Sequence, residues 1–288
     1  MTFHIILAIC AFLMVLLGTR IAILAMRTRR ESLGYHNLSP QMQKLLPPSI
    51  QGGGIVLVFA IVICISLADI RYGIILPVFL LTSIALLEKL IPVPWLLQMM
   101  VQVIAIAFPL STLGATTFGG LVPPWMDFMI TGALWIWFIN MYSSMDRLDG
   151  LSVSGIVSIC AGLYIAETIS GNFQGTLATY SLVIAAAGCG FLWWNWSPAK
   201  IAFGRVGCVP IGFLLGYLLL LAVHSGYAIC AAILPAYYIS DSIISWIRHV
   251  WHRGLPAPGK DRYYFLQALK NNRKPLFVVK SVTGINIL

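Results

Sequence analysis

Ile5-Ile-Leu-Ala-Ile-Cys-Ala-Phe-Leu-Met-Val-Leu-Leu-Gly-Thr-Arg-Ile-Ala-Ile-Leu-Ala-Met26 is followed at once by Arg27, Arg29 and Arg30. At 1.5 Å per residue, a helix of about 20 apolar residues crosses ~30 Å of hydrocarbon. No basic segment precedes this run, and it is too long for a signal-peptide core. It therefore reads as a retained transmembrane helix with its basic end inside the cell and its N-terminus outside.

Further apolar blocks run from about Gly54 to Leu67, Gly73 to Leu87, Trp95 to Leu113, Trp125 to Tyr142, Ser152 to Ile169, Leu177 to Trp194, Val209 to Val223 and Tyr227 to Trp246. The composition agrees. Of 288 residues, 59% are hydrophobic and only 9% charged, whereas soluble domains carry roughly a quarter charged residues. That excludes a water-soluble domain, a disordered chain, collagen and a disulfide scaffold. Cys10, Cys64, Cys160, Cys189, Cys208 and Cys230 are scattered through apolar blocks without CxxC spacing, as small core residues are.

If the first turn is cytoplasmic, the inner segments are Arg27 to Gln51, Glu88 to Pro94, Asn140 to Leu151, Asn195 to Cys208, and everything after Arg248. They hold 16 of the 18 Lys and Arg residues, leaving Arg71 in an outer loop and Arg20 within a helix. The net charge of +9 is thus a positive-inside topology signal and not a nucleic-acid surface. The expected fold is all-α and polytopic, with about nine to ten transmembrane helices and a cytoplasmic-face cleft. Residues 1–288 read as a single transmembrane domain. Within it, 249–288 forms a cytoplasmic basic segment in which Pro275 to Leu288 turns apolar again, as an incomplete final span or a short interfacial helix.

Three polar clusters fall on the inner side. Asn140-Met-Tyr-Ser-Ser-Met-Asp146-Arg147-Leu-Asp149-Gly150-Leu151 ends an apolar helix with two carboxylates three residues apart. On a helix these would share one face and suit Mg²⁺; the alternative is an interfacial turn paired internally by Arg147. Asn195-Trp-Ser-Pro198-Ala-Lys200-Ile-Ala-Phe-Gly204-Arg205-Val-Gly207-Cys208 combines a structured turn with two cations, and fits either a phosphate cradle or an ordinary basic loop under a Trp belt. Asp241 and Arg248 lie two helical turns apart. Glu88-Lys89 and Gln51-Gly-Gly-Gly54 are bland by themselves, the latter reading as a flexible lead into the second span.

Taken in order and on one side, these segments resemble the polyprenyl-phosphate N-acetylhexosamine-1-phosphate transferase family, the group containing the MraY and WecA enzymes. The resemblance covers nearly the whole chain. The family's Asn-x-x-Asn-x-x-Asp-Gly-x-Asp-Gly-Leu and Asn-x-x-Pro-Ala-(Lys/Arg)-x-x-x-Gly-Asp-x-Gly-Ser motifs look like Asn140 to Leu151 and Asn195 to Cys208. Trp194-Asn195-Trp196 and the stretch from Pro235 to Gln267 resemble the WecA-like branch that starts surface polysaccharides.

The resemblance implies transfer of a sugar-1-phosphate from a UDP-N-acetylhexosamine to polyprenyl (undecaprenyl) phosphate at the cytoplasmic face of the bacterial inner membrane. It also implies Mg²⁺ held by Asp146 and Asp149, and makes a homodimer plausible. No nucleic-acid partner is implied. The catalytic candidates are Asp146, Asp149 and Glu88. Substrate contacts are expected from Asn140, Lys89, Arg147, Asn195, Lys200, Arg205, Asp241 and Arg248.

This sequence departs from the family pattern at the chemistry. Glu88-Lys89 replaces an Asp-Asp pair, Ser143 an Asn, Arg147 a Gly, Arg205 the metal-binding Asp, and Cys208 a Ser; the C-terminal family histidines have no counterpart in Lys260 to Gln267. Converging bases would repel a divalent ion by a few kcal/mol per unit charge at ~4 Å and an effective dielectric of ~20. Two outcomes follow: the bases take over the metal's electrostatic role, or they pair with the acids and leave a catalytically inactive member that binds polyprenyl phosphate or a membrane partner. A transporter is disfavoured, because the acids sit at span ends and not at the midplane.

Overall fold

The computed structural model describes residues 2–32, 50–69, 72–114, 117–144, 146, 149–173 and 175–253. Among these, ten helices and two short strands follow in the order α1 (Thr2–Ser32), β1 (Ile50–Gln51), α2 (Gly54–Ala68), α3 (Tyr72–Leu90), α4 (Trp95–Leu113), α5 (Pro124–Ser144), α6 (Leu151–Ile169), α7 (Thr176–Asn195), β2 (Ile201–Ala202), α8 (Arg205–His224), α9 (Ala228–Ile233) and α10 (Ala236–Arg253). Six helices, α1, α3, α4, α6, α7 and α8, are each long and apolar enough to cross a membrane. The chain is a multi-pass membrane protein. The apolar α2 is shorter than these, and α5, at the expected block Trp125 to Tyr142, is not among the six.

The core is built around α8. Every residue from Val206 to Leu218 is buried, as expected of a helix that is apolar all round and enclosed by its neighbours. Helices α2, α3 and α5 all pack against it. The α5 contact is fixed by Trp135, whose indole stacks on Phe213 with centroids 5.1 Å apart and donates to the Phe213 carbonyl at 3.1 Å. Gly216 makes room, since a Cβ there would lie 2.3 Å from Trp135 Nε1.

On the other flank, α1 packs along α7. Gly190 approaches the Phe12 carbonyl so closely that a Cβ would sit 2.6 Å from it, and Trp194 Nε1 donates to the Leu16 carbonyl at 3.0 Å. Small residues and interhelical hydrogen bonds are the usual means of helix association in lipid, where no hydrophobic force operates between helices.

Two sequence readings are corrected. The block Tyr227 to Trp246 is not one span: it breaks at Leu234-Pro235 into the six-residue α9 and the 18-residue α10. Proline supplies no N–H to continue the helix. Helix α10 is amphipathic, with Tyr238 and Ser242 buried and Ile243, Ile244 and Ile247 exposed. Gln51 to Gly54 is likewise no flexible lead, because it is held in a parallel pairing described below. Arg71 and the segment 254–288, with Lys260 to Gln267 and Pro275 to Leu288, lie outside the described residues.

Candidate active site

One end of the bundle is organised by backbone pairing. Strand β1 runs parallel to β2, with Ile50 opposite Ile201 and Gln51 opposite Ala202. The ladder continues as Gly53 N–H donates to the Ala202 carbonyl at 3.2 Å and Gly54 N–H to the Phe203 carbonyl at 3.1 Å. The starts of α2 and α8 are thereby pressed together. A Cβ on Gly53 would strike the Phe191 ring at 2.7 Å, and one on Gly54 the Gly207 Cα at 2.4 Å. These glycines serve close approach, not flexibility.

The carboxylates brace the loop between α7 and α8. Asp146 and Asp149 sit in the turn between α5 and α6 and not on a helix face. Asp146 Oδ2 accepts from Gly204 N–H at 2.6 Å, and Asp149 Oδ2 from Ala199 N–H at 3.1 Å. Burial raises the Asp146 carboxyl above its ordinary range, against the lowering effect of the Gly204 N–H and the Cys208 thiol. Asn195 completes the brace from α7: Oδ1 accepts from Gly150 N–H at 3.0 Å, and Nδ2 donates to the Ile201 carbonyl at 2.8 Å. It is 3% exposed, so neither contact competes with water.

The cations border the same loop. Arg205, the first residue of α8, forms a salt bridge through Nη1 to Glu88 Oε1 and donates through Nη2 to Gln98 Oε1 at 3.1 Å. The exposed Lys89 lies beside Gly52, where a Cβ would be 3.1 Å from its Nζ. Lys200 Nζ rests over the Trp194 ring, 5.0 Å from its centroid. The structure thus gathers Glu88, Lys89, Asp146, Asp149, Asn195, Lys200 and Arg205 around β1, β2 and the segment 195–205. Arg147 lies outside the described residues.

Asn140 has a different neighbourhood. Its Nδ2 donates to Gln102 Oε1 at 2.7 Å and to the Ile136 carbonyl at 2.8 Å. Asp241 is half-buried on α10, which also carries Arg248. The sequence reading overlooked Gln98 and Gln102. The signal was available: two amides four residues apart in an apolar helix share a face, and polar side chains within membrane spans invite a functional explanation.

The sequence profile described as "Glycosyl transferase family 4" matches residues 71–223, just over half of the chain. The chain belongs to glycosyl transferase family 4. It is 34% identical over 110 residues to the phospho-N-acetylmuramoyl-pentapeptide-transferase of Dichelobacter nodosus (strain VCS1703A), covering 34% of this chain and 29% of that protein. Over 146 residues it is 29% identical to the probable undecaprenyl-phosphate N-acetylglucosaminyl 1-phosphate transferase of Bacillus subtilis (strain 168), covering 49% and 40%. A phospho-N-acetylmuramoyl-pentapeptide-transferase of Psychrobacter sp. (strain PRwf-1) is 26% identical over 117 residues, 36% of this chain and 31% of that protein. The matched stretches are well under two thirds of these relatives' lengths.

Glycosyl transferase family 4 is in general metal-dependent, yet the donor set here does not fit a divalent ion. Mg²⁺ wants hard anionic oxygens with lone pairs free to converge on it. Asp146 and Asp149 instead face backbone N–H donors, and Glu88 faces a guanidinium. Among the described residues no three His, Cys, Asp or Glu side chains are grouped as metal ligands would be. The expected Asp146–Asp149 metal pair is therefore unsupported by the geometry.

Proposed function

We propose that this glycosyl transferase family 4 member moves a sugar-1-phosphate from a UDP-N-acetylhexosamine to polyprenyl phosphate. It would lie in the bacterial inner membrane with its N-terminus outside, about nine helices spanning the bilayer or lying along it, and its active cleft on the cytoplasmic side. The observation that carries the reading is the clustering of Glu88, Lys89, Asp146, Asp149, Asn195, Lys200 and Arg205 at one end of the bundle in a chain that matches the family over residues 71–223.

In the reaction an ionised lipid-phosphate oxygen forms a bond to the β-phosphorus of the nucleotide sugar. The bond from that phosphorus to the bridging oxygen breaks, and UMP leaves with the electron pair. Both reactants are anionic, so the site must offset their repulsion and the charge on the transferring phosphoryl group. Lys89, Lys200 and Arg205 supply positive charge at the described site, and by the family resemblance Arg147 would contribute another. Asp146, Asp149 and Asn195 hold the 195–204 loop in register, and the family resemblance assigns Asn140 to the nucleotide and Asp241 with Arg248 to the acceptor end.

A second reading, a non-catalytic member that binds polyprenyl phosphate or a membrane partner, is favoured by one observation. Each of the three described acids at the site already has an internal donor: Arg205 for Glu88, Gly204 N–H for Asp146 and Ala199 N–H for Asp149. The deciding assay uses purified full chain in nanodiscs with undecaprenyl phosphate and a panel of UDP-N-acetylhexosamines, reading UMP release. Turnover supports the transferase. Absence of UMP from protein that is folded and binds the lipid establishes the second reading.

A further inference from the structure

We propose that the Arg205 guanidinium, held by Glu88 and Gln98, is a built-in cation that takes the place of the divalent metal, so that this site binds a diphosphate without metal. The inference rests on the transferase reading only for the identity of the diphosphate as that of a nucleotide sugar.

Three separate elements fix the guanidinium. It begins α8, is ion-paired to Glu88 on α3, and donates to Gln98 on α4. Gln98 is itself oriented, because its Nε2 donates to the Val93 carbonyl at 3.2 Å. Such a guanidinium is aimed and not free to sweep. An arginine carries five N–H donors in a rigid fork matched to phosphate oxygens, and the acceptors on Glu88 and Gln98 leave others available. The side chain is 48% exposed, against 25% for Glu88, so its open face is turned to solvent.

The adjoining surface suits an anion. Gly204 precedes Arg205 with φ +75°, and Gly52 opposite has φ +110°. A Cβ built on Gly204 would be 3.9 Å from the Gly52 nitrogen, so no side chain stands between these two backbone stretches, although the Gly204 N–H itself is taken by Asp146. Lys89 Nζ stands over Gly52. The Lys89 ammonium over Gly52 and the Arg205 guanidinium next to Gly204 are two cations for a ligand with two phosphate groups, and Glu88 is already engaged by the guanidinium.

The test is calorimetric titration of the full chain in nanodiscs with inorganic pyrophosphate and with UDP, in EDTA and in Mg²⁺, alongside Mn²⁺ binding followed by electron paramagnetic resonance. The expected result is diphosphate affinity in EDTA within about threefold of that in Mg²⁺ and no stoichiometric Mn²⁺ site. Arg205→Ala is expected to weaken pyrophosphate binding by about tenfold or more, and Gln98→Leu by a smaller factor at unchanged melting temperature. Arg205→Lys keeps the charge but loses the fork, and guards against a folding defect in the alanine variant. Binding that requires Mg²⁺, or that ignores all three substitutions, overturns the inference. UMP release measured on the same preparations separates the two claims. Mg²⁺-dependent turnover would keep the transferase and remove the built-in cation. Metal-free pyrophosphate binding through Arg205 without UMP from any donor would do the reverse.

Discussion

Gly54 and Gly207 meet backbone to backbone: a Cβ on Gly54 would lie 2.4 Å from the Gly207 Cα and 2.8 Å from the Phe203 carbonyl oxygen. This contact joins α2 to α8 directly beneath the β1–β2 pairing. Gly54→Ala should therefore force the two helices apart, at an overpacking cost of about 1–3 kcal/mol. Thermal unfolding of the variant in detergent should show a lowered melting temperature. An unchanged one would mean that the helices do not approach this closely.

Asn195 ties Gly150 to Ile201 across the site. Asn195→Ala leaves a buried N–H and a buried carbonyl without that partner, each costing roughly 1–3 kcal/mol. Asn195→Asp keeps the acceptor for Gly150 but sets an oxygen against the Ile201 carbonyl, and it should rescue little. Melting temperatures of the two variants, compared with wild type, check both statements.

Asp146 gives a pH signature. Its folded-state carboxyl lies above the ordinary range because burial disfavours the ionised form. The unfolded reference titrates near ~3.9, so the stability linked to this group is fully present below that pH and is lost as pH rises through the higher folded value. Asp146→Asn removes the step. The variant's melting temperature should gain on wild type as pH rises above about 4 and then level off; a difference that narrows with pH would contradict the assignment.

Gln102 is 2% exposed and bonded to Asn140 at 2.7 Å between α4 and α5. Gln102→Leu should cost about 1–3 kcal/mol by leaving the Asn140 amide short of an acceptor. Substituting both residues with apolar partners should cost less than the sum of the single changes. A double-mutant cycle on thermal stability reads that coupling directly.

Much of the fold is legible in the sequence because hydrocarbon imposes a length and a polarity on each span. Trp95 to Leu113 is read to the residue and Ser152 to Ile169 to within one, while Val209 to Val223 misses the first turn of α8, which begins at Arg205. The unreadable part concerns partners. Composition shows Arg205 beside Gly204, but not that its guanidinium meets Glu88 and Gln98, which stand 117 and 107 residues away in the chain. The spacing of Asp146 and Asp149 suggested one helix face, while the turn directs them to two different amides. Nor does hydropathy register that Pro235 divides an apolar block into α9 and α10.

By itself, then, the sequence determined a multi-pass helical membrane protein and the motif segments by which its family is recognised, because solvent exclusion acts locally along each helix. Only the tertiary structure decided what each acid and base at the site is bonded to. Hydrogen bonds and ion pairs depend on ångström-scale approach between distant segments, here set by the Gly54–Gly207 contact and the β1–β2 pairing. That approach gives the three acids expected as metal or catalytic groups two backbone amides and a guanidinium as partners.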